Sequence, residues 1–405
     1  MGVPASRDNG WVVAGAATVG VVFASQPIVT FSVFLLPVAE TFSWSRQMAA
    51  SAYSTMMLLT AVSAPLVGMV LDHVGARRVV APCLLLSGLT VISLSALTDR
   101  LWHVYAAFAV IGIATVGASP IAYSRVIFSW FDRYRGRALA LTLAGAGVSG
   151  SVLAPLAQSL IRAAGWRVAW LTLGSMTVAI GVPIVALLVR EGPLTLRRDA
   201  AEPAQQVVRR ALGSRVFWTL TIVVFGSTVA TTGAGVHLAA LLTDRGVLPA
   251  RAAFVVSTLA ASNLAGRLLA GWLIDRFAAA RVACALLTMA AAGMLRLAEA
   301  QTFVHGLVAA VLIGIGAGGE FDIAPYLLGR HFGLRSISTL YGFIWMAVGA
   351  AGTFGPILLG RAYDATGTYA PLLIWMAAII LAAGLLMLTL PAPARPVPAP
   401  TVPTA

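Results

Sequence analysis

The chain has 405 residues, 59% of them hydrophobic and only 10% charged, with a mean hydropathy of +0.91. A soluble domain carries about 25% charged residues, so there is too little polar surface here for a water-soluble globule, and the net charge of +13 reads as membrane topology rather than nucleic-acid binding. The two cysteines, Cys83 and Cys284, lie in apolar runs and argue against a disulfide framework or a thiolate metal site.

Twelve apolar segments follow one another, each long enough to cross a bilayer core as a helix. None shows the period-two alternation of a barrel strand. They cover 11–38, 48–71, 79–98, 102–128, 137–161 and 168–189, then 216–242, 252–274, 282–298, 303–328, 337–359 and 369–390. The first is too long for a signal peptide and lacks a cleavage site, so it reads as a retained span. The longest polar stretch, 190–215, holds six arginines (190, 197, 198, 209, 210 and 215) against Glu191, Asp199 and Glu202. The expected organisation is a six-helix bundle over 1–190, a cytoplasmic central loop over 191–215 and a second bundle over 216–390. A disordered, proline-rich tail is expected over 391–405.

All 27 basic residues are arginine. With the N-terminus inside, 17 of them fall in inside segments and 8 outside, leaving Arg125 and Arg267 within spans. That bias places both termini in the cytoplasm.

The halves look like copies. Gly68 and Asp72 end the second span as Gly271 and Asp275 end the eighth, with the aspartates 203 residues apart. Tyr123 and Tyr326 share that spacing. Spans five and eleven are both glycine-rich: Gly145, Gly147 and Gly150, then Gly349, Gly352 and Gly355. These glycines are expected to serve helix packing. Six-span halves related by an axis along the membrane normal are a transporter architecture.

The segment from Gly68 through Asp72, His73 and Gly75 to Arg77 and Arg78 resembles the G-x-x-x-D-R-x-G-R-R signature of the major facilitator superfamily, with His73 in place of the usual arginine. The second copy keeps Gly271, Asp275 and Arg276. Four further segments resemble the branch of monocarboxylate transporters and oxalate/formate antiporters: Asp8 to Trp11, Trp130 to Ala138, Asn263-x-x-x-Arg267-x-x-x-Gly271, and Gly319 through Tyr326 to Gly333, the last similar to bacterial members. The resemblance implies an all-α membrane protein of twelve transmembrane helices in two pseudo-symmetric six-helix bundles. It also implies that Arg267 engages a substrate carboxylate. Asn263 stands where proton-coupled members keep aspartate, and the lysine that members use in span one or eleven has no counterpart in a chain without lysine.

Ionisable groups inside a bilayer are costly and are usually functional or paired. Arg125, Arg267, Glu320 and Asp322 are such groups. Arg267 precedes Asp275 by eight residues, and Asp322 precedes Arg330 by eight, which places both about 12 Å from the span ends. Two readings stand for Arg267: a carboxylate grip through paired hydrogen bonds, or a permanent bridge to an acid that only joins helices. Glu320 and Asp322 are candidate proton-coupling groups. Two positions apart on a helix, they cannot point the same way. Tyr123, Tyr326 and Asn263 are candidate substrate contacts or packing residues. Arg125, five residues before Trp130, reads as snorkelling to the interface. His237 reads as a hydrogen-bonded structural histidine. Asp72, Arg77, Arg78, Asp275 and Arg276 read as conformational gating residues, the aspartates capping tight turns and pairing with arginines of neighbouring spans.

There is no phosphate-cradling loop, catalytic pair or metal cluster in the sequence, so no enzyme activity, metal or cofactor is expected. The expectation is a monomeric secondary transporter of a bacterial inner membrane. Its partners would be a small organic anion, with a proton or counter-anion, and the lipid bilayer, with no nucleic acid. A drug or metabolite exporter of the same fold is the alternative within transport, and a non-transporting receptor the alternative outside it.

Overall fold

The computed structural model describes residues 7–44, 46–193 and 203–391. Among the described residues, eleven helical stretches are long and apolar enough to cross a membrane. One of them, Arg135–Leu188, has 54 residues, about 80 Å of helix against a hydrocarbon core of about 30 Å. It is two spans. Gly165, with φ 83°, turns the chain back, a conformation that an L side chain resists. Beyond the turn, Trp166 Nε1 donates to Thr41 Oγ1 at 2.9 Å and Trp170 stacks on Phe34 at 3.6 Å. Gly181 then meets Phe23. Span six thus descends along span one, and the described residues hold twelve spans.

Spans one to three are Arg7–Thr41, Arg46–Val74 and Ala76–Ser93. Spans four and ten are each made of two helices, Leu101–Gly117 with Pro120–Trp130 and Phe303–Gly318 with Glu320–Phe332. The first break is capped by Ser119, whose hydroxyl accepts the Ile121 N–H at 3.1 Å. Span five is interrupted at Ala144. Spans seven, eight, nine, eleven and twelve are Arg215–Asp244, Pro249–Ile274, Ala279–Ala298, Ile337–Thr366 and Ala370–Met387.

Large apolar side chains such as Leu58, Leu187, Phe254 and Trp375 stay exposed on the perimeter. That is the outcome expected of a surface solvated by lipid. The two bundles meet where span two packs on span eleven and span five on span eight. Backbones come close there: a Cβ on Gly342 would lie 2.5 Å from the Ala64 carbonyl oxygen, and one on Gly271 would lie 2.5 Å from that of Gly136. Of the six repeat glycines, Gly145, Gly349 and Gly355 occupy such close contacts, whereas Gly147, Gly150 and Gly352 have room.

The central stretch is not loop throughout. Ala204–Leu212 is a helix whose Val207 and Ala211, four apart, are buried while Arg209 is exposed. Arg197, Arg198 and the tail beyond Pro391 lie outside the described residues.

Candidate functional site

Trp11 packs edge-on against Phe131 at 4.9 Å, which puts the loop after span four on the face where the chain begins. The other span ends at Asp72, Asp275 and Leu334 share this N-terminal face. The aspartates are expected to cap tight turns and to pair with arginines of neighbouring spans. Each stands beside such an arginine, Asp72 by Arg125 and Asp275 by Arg137, and the turn each caps opens a helix of the other half. Asp72 accepts the backbone N–H groups of Ser338 and Thr339 at 3.1 and 2.7 Å and the Thr339 hydroxyl at 2.7 Å, at the start of span eleven. Asp275 accepts the N–H groups of Gly136 and Arg137 at 2.7 and 3.1 Å, at the start of span five. A carboxylate is stabilised there by unpaired N–H groups and the helix dipole. One turn before each aspartate, the glycine lets the partner backbone in: Gly68 against Ser338 and Gly271 against Gly136. Burial raises the Asp275 carboxyl above its usual range, opposed by the two N–H groups, Arg137 and Arg330.

Arg125 does not snorkel. It is 4% exposed, because span four ends inside the junction of the two halves rather than in lipid. Its Nη1 donates to Asp72 Oδ1 at 2.9 Å and to the Leu334 carbonyl at 3.2 Å, and its Nε donates to Glu191 Oε1 at 2.8 Å. Glu191 also accepts the Ala76 N–H at 3.0 Å. Sequence reading treated Glu191 only as a countercharge in the loop. Its partner lies 66 residues away, and no local pattern announces the pair.

Arg77 and Arg78 are exposed and stand outside these caps. Arg276 lies over the Trp272 ring at 3.8 Å. The capping work on this face therefore falls to Asp72 and Asp275, with Arg125 and Glu191 beside the first and Arg137, 3.7 Å from Asp275, beside the second.

Deeper along span eight, Arg267 faces span ten. Its Nε lies 3.7 Å from Asp322 Oδ2, and its Nη1 donates to the Leu143 carbonyl of the opposite half at 2.8 Å, just before the interruption of span five. Asp322 is fully buried, and neither of its oxygens accepts a hydrogen bond among the described residues. The two acids of span ten do point apart. Glu320 turns into the C-terminal bundle, accepts the Thr228 hydroxyl at 2.7 Å and lines a small apolar pocket with Leu220, Val224, Leu286 and Met387. Gly318 and Gly319, at the break between the two helices of span ten, press on the span-eight backbone at Asn263, Arg267 and Ala270.

Three aromatic residues complete this side. Tyr341 is within electrostatic reach of Asp322, Arg267 and Glu320, and its hydroxyl donates to the Phe321 carbonyl at 2.8 Å. Trp345 stands edge-on to Phe321 and to Tyr341 at 5.7 and 5.9 Å. Tyr341 and Phe321 were missed in the sequence, where nothing distinguishes them from packing aromatics.

The two tyrosines of the repeat do not join Arg267. Tyr123 is fully buried in the N-terminal bundle, its hydroxyl against Gly20. The Tyr326 hydroxyl donates to the Ile274 carbonyl and accepts from Arg330, each at 3.3 Å, near the N-terminal face. Asn263 is half-buried one turn before Arg267. His237 hydrogen-bonds the Pro356 carbonyl at 3.0 Å.

Residues 16–356 match the Major Facilitator Superfamily. Human monocarboxylate transporter 11 is 29% identical over 405 residues, covering 96% of this chain and 84% of that protein. Rat monocarboxylate transporter 13 is 27% identical over 398 residues, covering 96% and 90%. Among solved structures, the fucose:proton symporter of E. coli superposes with a TM-score of 0.73 at 16% identity, covering 93% of this chain and 97% of that one.

Proposed function

We propose a function from one premise: the chain belongs to the Major Facilitator Superfamily and is a multi-pass membrane transporter homologous to the monocarboxylate transporters. In our reading it moves a small organic carboxylate across a bacterial inner membrane, with both termini cytoplasmic. The excess of arginine in the segments on that side supports this orientation.

The observation that carries the reading is the position of Arg267. It lies where the two halves meet, two turns deeper than Asp275, beside a buried acid and a carbonyl of the opposite half. A guanidinium keeps its charge at such depth and holds a carboxylate through parallel N–H groups. Substrate carboxylate takes the place of the Leu143 carbonyl on Arg267 and so releases one tie between the halves. The caps made by Asp72 and Asp275 close the N-terminal face, and transport requires them to part as the halves rock. Proton coupling falls to Glu320, an acid that lines an apolar pocket, accepts the Thr228 hydroxyl and has no basic partner among the described residues.

The test is uptake of radiolabelled carboxylates (lactate, pyruvate, a branched 2-oxo acid, oxalate) into proteoliposomes, with and without an inward proton gradient. Gradient-stimulated uptake of one acid, abolished by Arg267→Gln and by Arg267→Lys, is the expected result. Folded protein that takes up none of them would shift the assignment to an exporter of the same fold.

A further inference from the structure

Resting on the carboxylate reading, we infer that the substrate of this site also carries a cationic end, so that the chain selects amino or guanidino carboxylates over plain monocarboxylates. Three observations converge on this. Asp322 is fully buried, yet neither of its oxygens accepts a hydrogen bond among the described residues. A buried carboxylate left so is costly. Its contact with Arg267, at 3.7 Å, is too long for a hydrogen bond. Both oxygens therefore remain available to N–H donors.

The second observation is charge balance. Arg267 and Asp322 sum to zero. A substrate with one negative and one positive end keeps that balance at depth in the bilayer, whereas a plain carboxylate leaves one uncompensated negative charge there. The third is an aromatic group: Tyr341, within electrostatic reach of both Asp322 and Arg267, with Trp345 edge-on to it and to Phe321, the residue next to the acid. Aromatic faces attract ammonium and guanidinium groups. Arg267 takes the carboxylate, and Asp322 with the aromatics takes the cation. The two acids of span ten then have separate tasks, since Glu320 faces the other side of its helix.

The experiment compares matched probes in proteoliposomes holding the full chain: butanoate against 4-aminobutanoate and 4-guanidinobutanoate, and 3-phenylpropanoate against phenylalanine. The expected result is half-saturation at about tenfold lower concentration for the doubly charged member of at least one set, a difference of one decade in affinity. Asp322→Asn leaves the site with a net positive charge and should invert the preference toward the plain acid, an inversion that a merely structural aspartate would not produce. Trp345→Leu gives a second variant that keeps both charges; it should narrow the preference about threefold, the small end of a cation–π contribution. Equal or better uptake of the plain acids by the unaltered protein overturns the inference and leaves the carboxylate reading standing. Uptake of neither kind, by protein whose melting curve shows it folded, removes both.

Discussion

Asp72 and Asp275, 203 residues apart and equivalent in the repeat, each cap the first turn of a helix that belongs to the opposite half of the molecule. The exchange is reciprocal: span two holds the start of span eleven, and span eight holds the start of span five. It also explains the spacing of glycine and aspartate. The glycine admits the partner backbone, and the acid one turn later receives its N–H groups.

The two caps are not equal. Asp72 also pairs with Arg125, with side chains 2% and 5% exposed, while Asp275 faces the half-buried Arg137. Breaking a buried pair costs on the order of 3 kcal/mol, and losing a charged hydrogen bond about 1.5–3 kcal/mol. Asp72→Asn should therefore lower the melting temperature in detergent more than Asp275→Asn. With Cys83 and Cys284 replaced, a cysteine at position 338 should react with an impermeant maleimide faster in the Asp72→Asn background. Equal reactivity with and without Asp72 would show that the cap does not hold this face closed.

Gly68 and Gly352 make a matched control. A Cβ at Gly68 would collide with the Ser338 carbonyl, whereas nothing lies within 4 Å of one at Gly352. Gly68→Ala should cut transport at least tenfold. Gly352→Ala should leave transport intact and add up to about 1 kcal/mol of stability from helix propensity. The measurements are initial uptake rate and thermal unfolding on the same preparations.

Glu320→Gln keeps the shape and the hydrogen bond from Thr228 but cannot release a proton. Under the proposed assignment it should abolish stimulation by an inward proton gradient while downhill counterflow continues. Undiminished stimulation in this variant would exclude Glu320 as the coupling group and direct attention to Asp322.

Arg245 offers a purely structural prediction. Its guanidinium donates to the carbonyls of Leu297, Ala298 and Ala300 at 2.8–3.0 Å, closing the end of span nine. Burial lowers its tendency to hold a proton, and the three hydrogen bonds offset that cost. Arg245→Ala should destabilise by about 1.5–3 kcal/mol. Arg245→Lys should recover only part of that, because a single ammonium lacks the planar fork. Transport by the surviving folded fraction should be unchanged, as judged by uptake normalised to folded protein.

The number of spans, the repeat and the depth of Arg267 and Asp322 are all legible in the sequence, because each rests on local quantities: length of an apolar run, a fixed offset, rise per residue. The opposite directions of Glu320 and Asp322 follow from helix geometry alone. The fate of Arg125 does not. Snorkelling is a property of a lone helix in lipid, and span four ends against Glu191, Asp72 and Leu334, which lie 66, 53 and 209 residues away. The shared spacing of Tyr123 and Tyr326 was real as a repeat, yet it said nothing of where their hydroxyls point.

By itself, then, the sequence determined a membrane protein of twelve helices in two related halves, with an arginine and an acid held at depth, since hydrophobic periodicity and the cost of buried charge act along one chain segment at a time. Only the tertiary structure decided which half each aspartate caps, which acid faces the arginine and which aromatic rings stand beside it. Those outcomes depend on contacts between helices distant in the chain, and the bilayer, which satisfies no polar group on its own, leaves each such group to find its partner across the packed interface.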